Sequence, residues 1–172
     1  YPSLMKNQHA LKFICGSLAM IVDNSVTSEQ LPELLEADIK ALEDEHHGPI
    51  SVLTKTADGL PGFGIVAAVL GIVVTMGAID GPVEEIGEKV GAALVGTFLG
   101  ILLSYGFIQP ISVQMDFQAA AETAYFRTIA TMLEGFANNR SPRVVIEQAR
   151  RGTASDVRPD REQLETALKA LD

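Results

Sequence analysis

The sequence predicts an all-α membrane protein: two transmembrane helices in a hairpin, with long cytoplasmic helical extensions. Three observations carry this. Residues 59–79 and 90–115 are runs of 21 and 26 residues without one charged side chain. At about 1.5 Å per residue, either run is long enough for a hydrocarbon core of roughly 30 Å. Outside them the chain is strongly polar and carries most of a net charge of -9 over 172 residues. Finally, residues 60–79 show no polar face, whereas a core helix of a soluble protein shows one within two turns. Both runs are internal and too long for a cleaved signal peptide. The expected division is a cytoplasmic helical segment at 1–58, a transmembrane helix at 59–79, a periplasmic loop at 80–89, a second transmembrane helix at 90–112 and a cytoplasmic helical tail at 113–172.

The elements follow in order. Residues 4–22 place Leu4, Leu11, Ile14, Leu18 and Ile21 at helical spacing, and Asp23 and Asn24 end that helix. A second helix is signalled by Thr27 or Ser28 as a cap and Pro32 in the first turn. Its apolar positions Leu31, Leu34, Leu35, Ile39 and Leu42 fit one face. It is expected to stop near His46-His47-Gly48-Pro49, with a connector at 50–59 leading into the membrane. Pro61 sits at the membrane entry, where a first helical turn tolerates its missing N–H. Gly81-Pro82 marks the turn between the spans. From Pro82 to about Asn138 only Pro110 interrupts the helical pattern, so one long rod is expected. Ser141-Pro142 then caps a short helix to Arg151, and Asp160 starts a final amphipathic helix with Leu164, Leu168 and Leu171.

Charge gives the orientation, since short segments rich in Lys and Arg stay in the cytoplasm. The loop holds Asp80, Glu84, Glu85 and Glu88 against Lys89 alone. The tail holds Arg127, Arg140, Arg143, Arg150, Arg151, Arg158, Arg161 and Lys169. The loop is therefore outside and both ends inside. A single cysteine, Cys15, excludes an internal disulfide and fits a reducing compartment. The chain opens on Tyr1 rather than Met and reads as an excerpt of a longer polypeptide.

The spans carry a second pattern. Gly64, Ala68, Gly71, Thr75 and Ala78 recur at steps of three and four in the first, and Ala92, Gly96, Gly100 and Ser104 at every fourth residue in the second, with Thr97 beside them. Lipid gives helices no hydrophobic reason to associate, and small residues that admit close packing are the usual substitute. The stripes point to packing against protein, either each other or other subunits. Neither span holds Asp, Glu, Lys, Arg or His. Hydroxyls such as Thr75, Thr97, Ser104 and Tyr105 can line a wet path but hold no proton at neutral pH. A proton-conducting protein of this sequence must borrow its titrating carboxylate. For Thr75 and Thr97, a hydroxyl bonded back to its own helix is the competing reading. Pro110 reads as a hinge or as a tolerated bend at the membrane boundary.

Other chemistry is missing. Adjacent His46 and His47 diverge on a helix, so no metal site is expected beside Glu43 and Glu45. There is no phosphate loop, nucleophile–base pair or CxxC, so neither enzymatic activity nor a cofactor is expected. Net acidity argues against nucleic acid, and the Arg set of the tail reads as an orientation signal.

The stretch Asp58-Gly-Leu-Pro-Gly-Phe-Gly-Ile-Val-Ala-Ala-Val-Leu-Gly, together with Val95-Gly-Thr-Phe-Leu-Gly-Ile-Leu-Leu-Ser-Tyr-Gly-Phe-Ile-Gln-Pro110, resembles the MotA family of flagellar stator proteins. These runs are close to a signature for the family's third and fourth membrane helices, and a looser likeness covers essentially the whole chain. The resemblance implies an inner-membrane, multi-pass subunit whose first two membrane helices lie upstream of Tyr1. It implies a homo-oligomer, a ring of five, around a MotB-like partner whose single span carries the proton-binding Asp. Ion flow would turn the ring against a FliG-like rotor protein. Carried over residue by residue, Pro61 and Pro110 match the two prolines that couple ion flow to movement. Thr97 matches the hydroxyl lining the ion path, with Thr75 a further hydroxyl candidate. Ala68 stands where sodium-driven relatives carry Thr, which favours protons. Asp38 falls at an acidic position near the rotor-facing surface. The related ExbB/TolQ type, which energises outer-membrane processes, is the nearest alternative, and a passive membrane scaffold is the alternative of another class.

Overall fold

The structure is a computed structural model and describes residues 7–77 and 79–169. The apolar positions Leu4, Ala78 and Leu171 lie outside the described residues. Among those described, the elements are helices joined by turns: α1 (Gln8–Val22), α2 (Leu31–Met76), α3 (Val83–Leu103), a π-turn (Ser104–Ile108), α4 (Gln109–Ala137), α5 (Pro142–Gly152) and α6 (Arg161–Lys169). They divide into two compact units. One is formed by Tyr1–Glu43 with Ala120–Asp172, the other by Asp44–Ala119.

In the first unit side-chain caps start α1, α2 and α6, whereas Ser141, expected to cap α5, makes no side-chain cap bond and leaves that start to Pro142 at its first turn. Asn7 accepts the Ala10 N–H at 3.0 Å and caps α1. Thr27 and Gln30 form a reciprocal box ahead of α2: the Gln30 N–H reaches the Thr27 hydroxyl, and the Thr27 N–H reaches Gln30 Oε1. Asp160 and Gln163 repeat it at α6, at 2.7 and 3.0 Å. Helix ends are set by Asn24 and Asn139, both at φ 51°, a left-handed conformation that asparagine tolerates better than most residues. The core joins Ala10 of α1, Leu31, Leu35 and Ile39 of α2, and Phe126, Ile129, Ala130 and Leu133 of α4. Phe13 meets Phe126 edge to face, with centroids 5.2 Å apart. Gly135 lets α5 approach α4, because a methyl there would collide with Val145.

The second unit is a helical hairpin made from the later part of α2 and from α3, the π-turn and the start of α4. Two expectations need correction here. The second helix does not stop at His46-His47-Gly48-Pro49, and residues 50–59 are not a connector: α2 runs unbroken through Pro49 and Pro61. Pro61 is accordingly an interior helix residue, not a first-turn one. An interior proline costs about 3 kcal/mol in an isolated helix, since one N–H is lost and the ring crowds the preceding turn. A hydroxyl offsets that loss at Pro61, where the backbone has little water to turn to. Near Pro49 the Ile50 carbonyl, which is not the one that this proline deprives, accepts Thr54 Oγ1 at 2.9 Å and Ser112 Oγ at 3.4 Å, and these bonds tie the two segments together. The Ala57 carbonyl, four residues before Pro61, accepts Ser104 Oγ at 2.6 Å. Sequence spacing along one segment does not reveal such donors from another helix.

The second rod is continuous from α3 to α4, with the interruption before Pro110 taking a definite form. Over Ser104–Ile108 the turn widens to the π register, and the Gln109 N–H bonds the Ser104 carbonyl five residues back. A wider turn gives the Pro110 ring space against the preceding carbonyls without breaking the helix.

Candidate functional site: the seam of the helical hairpin

Pairs across the hairpin run in opposite directions along the two segments, so the segments are antiparallel. Ser112 faces Ile50 and Thr54, Ser104 faces Ala57, Gly100 faces Leu60 and Gly64, Gly96 faces Gly64 and Ala67, and Ala93 faces Gly71. A Cβ on Gly64 would lie 2.9 Å from the Gly96 carbonyl oxygen, and one on Gly100 would lie 2.7 Å from that of Leu60. On Gly71 it would collide with the Ala93 methyl. The glycines Gly64, Gly71, Gly96 and Gly100 are thus all in the seam, at backbone-to-backbone distances that only a missing side chain permits.

The sequence stripe strays at one end. Ala92 is exposed, and the buried residue opposite Gly71 is Ala93. Four residues turn an α-helix by about 400°, so a strict every-fourth stripe drifts about 40° per step and leaves the contact line after three. In the first helix Ala67, not Ala68, meets Gly96. Ala68 is half-buried beside the seam.

The hydroxyls divide into two kinds. Thr75 is buried and donates to the Gly71 carbonyl of its own helix at 2.8 Å. Thr97 instead donates across the seam to the Gly64 carbonyl at 3.2 Å and is half-buried. Its oxygen lone pairs remain available as acceptors. Further along, Thr54 and Ser112 share a hydrogen bond at 2.7 Å. Ser104, Ser112, Ala67 and Ala93 had no role or only a minor one in the sequence reading. For Ala67, Ala93 and Ser104 the signal, a small or hydroxyl residue three or four positions from a stripe glycine, is common in any membrane helix, and Ser112 lies twelve residues past the last stripe glycine.

Outside the seam the hairpin is covered with large apolar side chains, among them Phe63, Ile65, Val69, Leu70, Val73, Leu94, Phe98 and Ile101, each around half exposed or more. Both long helices contain stretches long and apolar enough to cross a membrane, and only 17% of each apolar window is buried. A soluble core helix would be mostly buried. At the loop, Glu84 and Glu85 occupy the first turn of α3, where carboxylates suit the helix dipole. Glu85 pairs with Lys89 at 2.8 Å, and that hydrogen bond, followed by the ammonium charge, holds its carboxyl below the usual range.

In the other unit, Asp38 is exposed on α2. Arg127 of α4 lies 3.0 Å from Glu43 and 3.5 Å from Glu36, all three well exposed. Such pairs contribute little. At α5 the Glu147 carboxylate is bracketed by Arg150 at 2.8 Å and Arg151 at 2.7 Å. Hydrogen bonds from Arg150 and then Arg151 hold its pKa down at about 2.

A hairpin with an apolar exterior and a glycine seam, whose two uncharged runs hold no Asp, Glu, Lys, Arg or His, defines a helical membrane protein whose two spans pack closely on each other. The chain belongs to the MotA/TolQ/ExbB proton channel family, whose model matches residues 5–128. It is 33% identical over 171 residues to motility protein A of Escherichia coli (strain K12), covering 99% of this chain and 58% of the relative. It is 34% identical over 168 residues to chemotaxis protein LafT of Vibrio parahaemolyticus, covering 98% and 59%. Its fold resembles a chain in the structure of C. jejuni MotAB, with TM-score 0.78 at 20% identity, covering 87% of this chain and 58% of that one. A chain of the flagellar MotAB stator complex from Bacillus subtilis gives 0.75 at 21%, covering 84% and 56%. The chain spans a little under three fifths of the length of these relatives.

Proposed function

We propose that this chain is the hairpin-bearing part of a stator subunit of the bacterial flagellar motor, which with a MotB-like partner converts proton-motive force into torque. The carrying observation is the pair of membrane-length spans that hold no Asp, Glu, Lys, Arg or His yet present a seam of small residues and hydroxyls. A proton path beside them needs a carboxylate from outside these residues, which a MotB-like single span would supply. The family model embraces both types, and the motility and chemotaxis names of the relatives favour this reading over an ExbB/TolQ-type role. The subunit sits in the inner membrane with loop 80–89 outside and both ends of this chain in the cytoplasm, assembles as a ring of five, and works on a FliG-like rotor protein. Thr97 and Thr75 border the ion path, Ala68 disposes it to protons over sodium, and Pro61 and Pro110 couple ion movement to helix movement. Asp38 faces the rotor.

The test is complementation. The full-length gene, expressed with its MotB-like neighbour in a strain lacking its stator, should restore swimming. Swimming should stop when proton-motive force is collapsed with sodium retained. Failure to restore movement, or an ExbD- or TolR-like neighbouring gene, would overturn the motor assignment. Movement that survives loss of proton-motive force would overturn the ion assignment.

A further inference from the structure

Pro61 leaves a specific defect. In an α-helix the carbonyl of Ala57 receives the N–H of the residue four further on, and proline has none to give. Ala57 is 1% exposed, so water does not fill the gap. The donor that does is Ser104 Oγ, on the other side of the hairpin at 2.6 Å and itself fully buried. Helical serines and threonines commonly donate back to the carbonyl four residues earlier, as Ser17, Thr56 and Thr75 do here. Ser104 instead sends its hydroxyl across the hairpin, while its backbone N–H keeps the ordinary helical bond to the Gly100 carbonyl. Ser104 is also the first residue of the π-turn, and its carbonyl accepts the Gln109 N–H immediately before Pro110. One residue therefore closes the backbone gap left by Pro61 with its side chain and closes the wide turn ahead of Pro110 with its main chain.

We infer that Ser104 is a positioning residue: its hydroxyl replaces the backbone donor absent at Pro61 and ties that point of α2 to the π-turn before Pro110, so that the two prolines move as one joint. The bond itself stands on geometry alone; its meaning for motor function rests on the stator reading above. Breaking it would free Pro61 to bend without the π-turn following.

The test is a double-mutant cycle on the full-length protein in mixed micelles, reading the folded-to-unfolded ratio during detergent unfolding. Ser104→Ala is expected to lower that ratio by about threefold to tenfold, the size of one buried hydrogen bond. In a Pro61→Ala background the backbone N–H returns to the Ala57 carbonyl, and Ser104→Ala should shift the ratio by less than about twofold. Equal losses in both backgrounds would show that the hydroxyl acts through packing alone and would overturn the inference. If the Pro61→Ala protein does not fold, Ser104→Cys decides instead. It keeps the volume but is a weak donor, so it should lose stability with Ser104→Ala, and a Cys variant as stable as the parent would overturn the inference. No swimming is read in these measurements. If the cycle holds and complementation fails, only the stator reading falls.

Discussion

Gly100 and Leu60 meet backbone to backbone: a methyl built on Gly100 would lie 2.7 Å from the Leu60 carbonyl oxygen and 3.2 Å from the Gly64 Cα. Backbone atoms cannot rotate aside as a side-chain end can, so accommodating any side chain there means separating the helices. Gly100→Ala should destabilise the hairpin by about 1–3 kcal/mol, as overpacking does elsewhere. The matched control is Gly91→Ala, on the same helix in open space. That change should be neutral or stabilise by up to about 1 kcal/mol, because alanine favours helix. Detergent-unfolding midpoints of the two full-length variants measure the difference. Equal midpoints would refute a seam this tight.

In the other unit the contact to perturb is the edge-to-face pair of Phe13 and Phe126. Phe126 is 3% exposed and touches a core drawn from α1, α2 and α4. Phe126→Ala should cost about 3–5 kcal/mol through lost transfer energy and the cavity left behind. Phe126→Leu, which keeps most of the volume, should cost far less. Limited proteolysis around residues 7–43 reads the result: the Ala variant should be cut faster, and the hairpin segment should stay protected.

The hairpin was legible in sequence because absence of charge over 21 and 26 residues is a property of each segment alone. The glycine stripe was half legible. Its existence is local, but its partner is not, and the rotation that exchanges Ala92 for Ala93 appears only when the pitch is followed for several turns. The helix through Pro49 and Pro61 was not legible. Local rules end or kink a helix at proline, and the donor that replaces the missing one at Pro61, Ser104, lies 47 residues from the carbonyl it serves. Thr97 shows the same limit, since its hydroxyl could have bonded back as Thr75 does and instead crosses to Gly64.

Pro110 stands just past the π-turn, with Gln109 between, and the widened register gives its ring room. Pro110→Ala restores an N–H and removes the clash, so residues 104–110 should relax towards regular α geometry. On the stator reading this straightens the joint: the full-length variant should insert at parental levels but swim slowly or not at all. Membrane fractionation and single-cell tracking measure both. Parental swimming speed would remove Pro110 from any coupling role.

Glu147 gives the chain an acid limb of known sign. Its pKa in the folded chain is held at about 2 by hydrogen bonds from Arg150 and then Arg151, against 4.5 without them. A carboxylate depressed in this way stabilises the folded state at and above its unfolded pKa, and the contribution is lost as pH falls through the folded value. The stabilisation of α5 should therefore be constant at neutral pH, begin to fall below about pH 4.5 and be gone near pH 2. Arg150 also donates to the Pro159 carbonyl at 3.2 Å, so the same cluster holds the turn that leads to α6. Glu147→Gln removes the charge but keeps the shape, and it should flatten this limb. An NMR titration of the Glu147 side-chain carbon reads the pKa, and the helical shifts of residues 142–152 read the stability. A Glu147 that titrates near 4.5, or an acid limb unchanged by Glu147→Gln, would show that the two arginines do not hold it in solution.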